Sequence, residues 1–302
     1  KIKETDLELY SFFLDEKNIN LIPESKRLSI TLEEYAILVL GKAKLEYLKV
    51  LNAFSHIFQT SMKYGLYLLE RDFVKVKEYY IIKTMTLTDF LYLILEKMTK
   101  MSLQLNLSEE FVSYQMKNNS NLIEVKTNHQ KYLTKNLVIT LPPLQLQKIK
   151  SIPKMLVNTT IPVPLCRMFA IYPANNFWYR DISATYTNEN VQRIYLKGTR
   201  LVQISYTSAE KAEFWNQLSK NQMKMKIELQ KELRRMFPKK EIHHPEVLNT
   251  HYWEAGVHLW KPKVEGDIVT ETIIKPFPHK NVYICNEAYS KQQRWMEGAL
   301  EM

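Results

Sequence analysis

The spacing of apolar residues changes twice along the chain. From Thr31 to Met98 they recur three and four apart, in LEEYAILVLGKAK, LEYLKVLNAFSHIF, SMKYGLYLLERDF and LTDFLYLILEKM, which predicts a mainly helical region. A shorter stretch of the same kind, LELYSFFLDE, precedes it across a loop marked by Pro23. Thr31 and Glu34 have capping-box spacing, in which each side chain satisfies the other's free N–H, so a helix opens there. After Met101 the period falls to two. SLQLNLSEEFVSYQM, LIEVKTN and YLTKNLVITLPP predict strands. The run Leu137 to Leu141, apolar nearly throughout, predicts a strand covered on both faces, as in a parallel sheet, and Pro142-Pro143 ends it. PLCRMFAIYP, VQRIYLKG and RLVQISYT predict further strands, and one helix is expected from Ala209 to Phe237. The last twenty-two residues, NVYICNEAYSKQQRWMEGALEM, predict a strand, a turn and a helix.

Composition narrows the chemistry. The 302 residues are 45% hydrophobic, enough for one large domain or two interlocked ones. The net charge is +10, but no RRM, KH or zinc-finger spacing accompanies it, so no nucleic-acid motif stands behind the basic balance. The most apolar helical stretch carries Lys83, Asp89, Glu96 and Lys97 and is too short and too charged to span a bilayer. Cys166 and Cys285 both lie in apolar runs and are expected to be buried free thiols in an intracellular, cytoplasmic protein. There are 6 glycines, against roughly three times as many at average usage. They form no GxGxxG and no Walker loop. His243, His244, His251 and Glu254 fit no standard metal spacing, and no serine has a G-x-S-x-G context. The basic helix residues Lys220, Lys224, Lys226, Lys231, Arg234, Arg235, Lys239 and Lys240 are expected on a solvated face.

Three segments, in order, resemble the flavin-containing amine oxidase family of monoamine, polyamine and L-amino-acid oxidases. NLVITLPPLQLQKI resembles the strand ending in threonine-x-proline-proline that passes the flavin. PLCRMFAIYPANNFWYRDI with RIYLKGTRLVQISYTSAEKAEFW resembles the substrate-domain strands closed by an aromatic-Trp pair, here Phe177-Trp178. YWEAGVHLWKP with VYICNEAYSKQQRWMEGALE resembles the closing FAD motif, and Glu287, Ser290, Trp295, Glu297, Gly298 and Ala299 agree with it in order and spacing. The match runs from Thr31 to the last residue. It implies an α/β fold in which a partial FAD-binding sheet, 101–150 and 240–302, interleaves with a substrate domain of mixed strands and helices, 10–100 and 151–239. It also implies that Glu287 holds the ribityl chain, that Trp295 lines the flavin or the substrate side, and that Met296 supplies a backbone N–H to the ring. Ser290 and Pro142 join them, and Gly298 and Ala299 stay small for close approach. Trp253, Trp260, Trp178 and Tyr172 would form a substrate cage, for which core packing is the competing reading. Large DNA viruses carry oxidase-like members with this wording, and a composition rich in Lys, Asn, Ile and Tyr suits such an origin.

The departures from the family pattern concern the flavin. The usual Ala-Gly before Glu287 is Cys285-Asn286, the usual Gly before Trp295 is Arg294, and the family's Gly-Gly-Met corresponds to Lys83-Thr84-Met85. Each lost glycine adds a side chain where bare backbone meets the cofactor. Arg167 and Met168 stand where many members keep a catalytic lysine. The GxGxxG unit of the family would precede Lys1, so FAD is expected only if that unit exists and the lost glycines are tolerated. The expected function is therefore a degenerate, non-catalytic oxidase fold kept as a structural or interaction component with protein partners, a virion being one such assembly. The alternative is an active FAD-dependent amine or amino-acid oxidase whose dinucleotide-binding segment lies upstream.

Overall fold

The structure is a computed structural model and describes residues 4–51, 55–71, 85–117, 121–198 and 200–302. Its first part is helical, as the 3.6-residue period predicts: α1 (Glu4–Phe13), α2 (Glu16–Ile19), α3 (Leu32–Leu51), α4 (Met62–Leu69) and α5 (Leu87–Lys100). The capping box forms, with Thr31 N donating to Glu34 Oε2 at 2.7 Å and Glu34 N to Thr31 Oγ1 at 3.1 Å. Helix α3 breaks at Gly41 (φ 74°, ψ 164°), a conformation open to glycine and costly for other residues. Phe13, Tyr35, Leu48 and Phe58 form the first core, which Val163 and Leu259 of the main sheet close from one side. Asp72, Phe73, Lys83 and Thr84, the last two part of the glycine-replacing triplet, lie outside the described residues.

Strands follow. An antiparallel sheet joins β1 (Phe111–Met116), β2 (Ile123–Thr127) and β3 (Lys131–Thr134). The alternation expected from Ser102 onward becomes strand only at Phe111, since Ser102 and Ser108 take positive φ and interrupt the extended backbone. β4 (Leu137–Ile139) runs into the short helix α6 (Pro143–Leu146), and α7 (Lys154–Val157) leads to the long β5 (Thr160–Ile171). β6 (Thr185–Tyr186), β7 (Arg193–Leu196) and β8 (Leu201–Ser208) complete one side of a five-stranded antiparallel sheet of order β6-β7-β8-β5-β9. Pro162 and Pro164 are tolerated in β5 because β8 pairs with it only from Leu165 onward, and a bulge lies between Val163 and Leu165 on the β9 side.

The helix expected from Ala209 to Phe237 is two helices, α8 (Glu210–Ser219) and α9 (Gln222–Met236). Asn221 divides them: its backbone is extended (φ −136°) and its side chain accepts the Lys224 N–H, so it caps a new helix. α8 and α9 cover the main sheet over the second core, built on Trp215, Tyr172, Trp178 and Leu229. Met225, Leu229 and Leu233 face inward, while Lys224, Lys231, Arg234 and Arg235 face outward.

β9 (Val247–Trp260) pairs with β5 along most of its length, so the main sheet contains strands from both halves of the expected two-part division. Beyond it come α10 (Gly266–Ile274), β10 (Val282–Ile284) and α11 (Met296–Glu301). β10 and β4 form a parallel pair, with Val282 opposite Leu137 and Ile284 opposite Ile139. The expected parallel pairing is present, but β4 is not covered on both faces. Ile139 is buried while Val138, on the opposite face, is exposed, because the third core packs against one face of the pair. The third core lies beneath the pair, on Ile139, Val282, Ile284, Trp260 and Tyr289. No helix among the described residues is long and apolar enough to cross a membrane.

Candidate cofactor-binding face

The residues matching the closing FAD motif do come together, at the end of the β4–β10 pair. The turn after β10 begins at Asn286, whose Oδ1 accepts the Ala288 N–H at 2.8 Å. Its Nδ2 donates to the carbonyl oxygen of Leu141 at 3.1 Å and lies 3.3 Å from that of Thr140. The side chain that replaces the family's glycine therefore ties the end of one parallel strand to the end of the other. Cys285 does a similar job, with Sγ 3.4 Å from the Met302 carbonyl oxygen. It is half-buried rather than buried as expected, and burial raises its thiol pKa. Cys166 is fully buried, which pushes its pKa up to about 12.

Glu287 is engaged within the chain through both carboxylate oxygens. Oε2 lies 3.1 Å from His258 Nδ1 of β9, and Oε1 accepts the Arg294 backbone N–H. Arg294 has φ 79°, in the left-handed region. The backbone thus keeps the conformation that suits the family's glycine, with an arginine held in it at a cost of about 1–2 kcal/mol. Replacing Arg294 with glycine is expected to raise stability by up to about 1 kcal/mol, read as a small upward shift of the thermal midpoint.

Gly298 serves the chain itself. A Cβ there would stand 2.2 Å from Ser290 Oγ and 2.3 Å from the Gln292 carbonyl oxygen, so its small size lets α11 pack on the preceding turn. Ser290 is buried, and its hydroxyl donates to the Glu287 carbonyl oxygen at 2.9 Å. Trp295 is 49% exposed, with the Arg71 guanidinium 5.9 Å from its ring centre; Met296 and Ala299 are exposed, and Pro142 precedes the first turn of α6. Buried His258 Nε2 has no hydrogen-bond partner among the described residues.

The four residues of the expected cage are not brought together. Tyr172 and Trp178 pack edge-to-face at 5.5 Å inside the second core. Trp260 is in the third core, 6.2 Å from Tyr64 and 6.4 Å from Tyr289. Trp253 is 45% exposed and stacks on His251. The competing reading, core packing, holds for three of the four. Met168 is buried in the second core, and the Arg167 guanidinium lies 3.5 Å from the centre of the Tyr206 ring. Neither supplies an amine that could relay a proton. No trio of His, Cys, Asp or Glu among the described residues is arranged to hold a metal ion.

A flavin in the pose implied by the resemblance needs Glu287 free and bare backbone around it. The residues present do not fit it: Glu287 is bound on both oxygens, and Asn286, Arg294 and Gly298 are each committed to the chain's own contacts.

No family model matches the sequence, and no curated protein matches it. Solved structures do match. An Exiguobacterium protein described as a protoporphyrinogen oxidase superposes with TM-score 0.65 at 12% identity, over 99% of this chain and 70% of its own. The cyclohexylamine oxidase of Brevibacterium oxydans superposes with TM-score 0.67 at 13% identity, over 99% and 71%. The fold is flavin amine-oxidase-like, with mixed helices and sheets.

Proposed function

We propose that this chain is a flavin amine oxidase-like fold that has lost cofactor chemistry and serves as an interaction component of a protein assembly. The observation that carries the reading is the engagement of Glu287 by His258 and the Arg294 N–H, together with an arginine at φ 79°. Each Glu287 oxygen is thus partly committed within the chain before a ribityl hydroxyl could reach it. Asn286 and Cys285 point the same way, since each substituted side chain now bonds within the chain.

An interaction role has its own support in α5. Leu87, Phe90, Leu91, Tyr92, Leu93, Ile94 and Leu95 are all exposed, and no residue of this helix is buried. Exposed apolar residues on every side of one helix mark an interaction surface. Its capping box, with Thr86 N donating to Asp89 Oδ2 at 2.7 Å, makes the helix a preformed element. A virion is one assembly in which such a component would serve.

Titration of the purified full-length protein with FAD tests the loss of cofactor. The protein is expected to be colourless, to show no flavin absorbance after FAD is added and removed by desalting, and to gain no thermal stability from it. A yellow protein with stoichiometric FAD would overturn the reading in favour of an FAD-dependent amine oxidase. The Arg294→Gly variant sharpens the test, because relieving that residue alone is expected to leave FAD unbound while Asn286 and His258 stay in place.

A further inference from the structure

A cavity of about 410 Å³ opens between α3 and the turn from β8 into α8. Glu33 and Lys49 of α3, His56, Gln192, Ser208 and Lys211 are among its lining residues. Ser208 Oγ lies 2.9 Å from His56 Nδ1, and both residues are almost fully buried. That is a hydroxyl and an imidazole at the distance required of a nucleophile and its base.

The backbone on either side of this pair is strained. Among the described residues six non-glycine residues have positive φ, and two of them, Gln192 (φ 56°) and Ala209 (φ 54°, ψ −134°), line this cavity. Such conformations persist only where the surroundings over-determine them, and they collect at functional sites. Gln192 Oε1 accepts the Ser208 N–H at 3.2 Å. Ala209 turns the chain from β8 into α8 immediately after the serine, a strand–serine–helix corner like the one that presents a nucleophile in hydrolases. Here the strained residue follows the serine, and the flanking glycines of that motif are absent. α8 starts at Glu210, and the N–H groups of a helix's first turn have no partner within the helix.

We propose that Ser208 and His56 form an acyl-transfer dyad that hydrolyses esters of small polar acids. Burial, reinforced by the charges of Arg294 and Arg193, holds the His56 pKa well below the ordinary imidazole value, so the ring is neutral at pH 7. With its proton on Nε2, Nδ1 is the acceptor. Ser208 Oγ attacks the ester carbonyl carbon, and its proton passes to Nδ1. The oxyanion forms against the first-turn N–H groups of Glu210 and Lys211. Collapse breaks the bond to the alcohol, which leaves with the proton from Nδ1. Water then repeats the sequence on the acyl-serine, releasing the acid and restoring the hydroxyl. The volume is at the small end for a ligand pocket, and its lining of Glu, Lys, Gln, Asn and Thr side chains suits a polar acyl group. Lys49 is held in place by Glu33 at 2.8 Å and Glu46 at 3.1 Å. None of this involves a flavin, so it stands or falls apart from the cofactor reading.

The test is covalent labelling of the full-length protein with alkyl fluorophosphonates, one compact and one bulky, followed by peptide mapping, alongside hydrolysis of p-nitrophenyl acetate. Expected are one label per chain on Ser208, none on Ser208→Ala, and a rate about 100-fold or more lower for His56→Gln, both variants retaining cooperative melts. Gln59 is exposed and lines the cavity, so Gln59→Trp is expected to slow the bulky probe at least tenfold more than the compact one. A folded wild-type protein that stays unlabelled, or labels elsewhere, overturns the proposal, as does labelling of His56→Gln at the wild-type rate. Should the two buried variants fail to fold, equal slowing of both probes by Gln59→Trp, or none, overturns it.

Discussion

Replacing Glu232 with alanine is expected to lower stability by about 3–5 kcal/mol, a loss of about 5–8 °C in thermal midpoint for a chain of this size. Glu232 projects from α9 and is fully buried. Its Oε1 accepts the Asn190 amide at 2.6 Å, and its Oε2 accepts the Val191 N–H at 3.0 Å. Alanine would leave both donors without an acceptor, at about 1–3 kcal/mol each, and add a cavity. Those donors sit in the 187–193 segment that also receives the Trp215 indole N–H at Asn190 O and the Ser205 hydroxyl at Val191 O. Glu232 therefore anchors the stretch that carries strained Gln192, and the Glu232→Ala variant should weaken any chemistry at Ser208 as well. The pH dependence follows from the raised pKa that burial gives this carboxyl. The folded state holds the proton more tightly than the unfolded state, whose value is near 4.5. The contribution of this group is complete below that pH and is lost as pH rises through the raised folded value. Glu232→Gln removes that slope and costs about 1–2 kcal/mol, since its amide NH2 must oppose one of the two donors. Chemical denaturation of the three proteins between pH 4 and pH 8 measures all of this. An alanine variant within 1 kcal/mol of wild type would show that the segment is held by other contacts.

The local signals in the sequence translated well because they act over a few residues. Thr31 and Glu34 form their capping box, and the helical and alternating periods gave way to each other near the places where the chain changes from helix to strand. The parallel setting of β4 was legible from its apolar run, but its partner β10 was not, since two apolar runs some 140 residues apart carry no mark of being partners. The exposed face of β4 was not legible, because coverage depends on what the rest of the chain packs against each face. The break at Asn221 had a local signal, a capping residue three before Lys224, but it was overridden by the run of helix formers on both sides. At the candidate cofactor face the sequence located the residues and the missing glycines. It could not show that Asn286, Cys285 and Arg294 had been turned to internal bonding, since those partners are Leu141, Met302 and Glu287. The Ser208–His56 pair is the extreme case. A separation of 152 residues leaves no motif, and the absence of G-x-S-x-G gave no cue to look.

Trp253 and Trp260 lie seven residues apart on one strand, and their substitution by alanine is expected to give opposite results. Trp260→Ala should cost about 3–5 kcal/mol. Its ring is buried between Tyr64 and Tyr289, whereas its backbone N–H, which donates to Gln293 Oε1 at 3.0 Å, and its backbone carbonyl, which accepts the Thr60 hydroxyl at 2.6 Å, stay in the alanine variant, so the cost is that of the ring alone. Gly266 sits so close that a Cβ there would stand 2.6 Å from the ring, so the backbone has been shaped around the indole. Removing the ring leaves a void that a strand, a helix start and a turn would all have to close. Trp253 is half exposed and stacks on His251 at 6.1 Å, so its loss should change stability by no more than about 0.5 kcal/mol. A strand's side chains alternate between faces, and an odd separation sends these two to opposite sides unless a bulge intervenes. The register of β9 against β5 does shift, between Val163 and Leu165, so sequence spacing alone could not assign either ring. The cage reading makes the contrary demand: both substitutions would leave stability nearly intact. Thermal melts of the two variants decide between them, and a Trp260→Ala protein that melts within 2 °C of wild type would return that ring to a ligand-facing role.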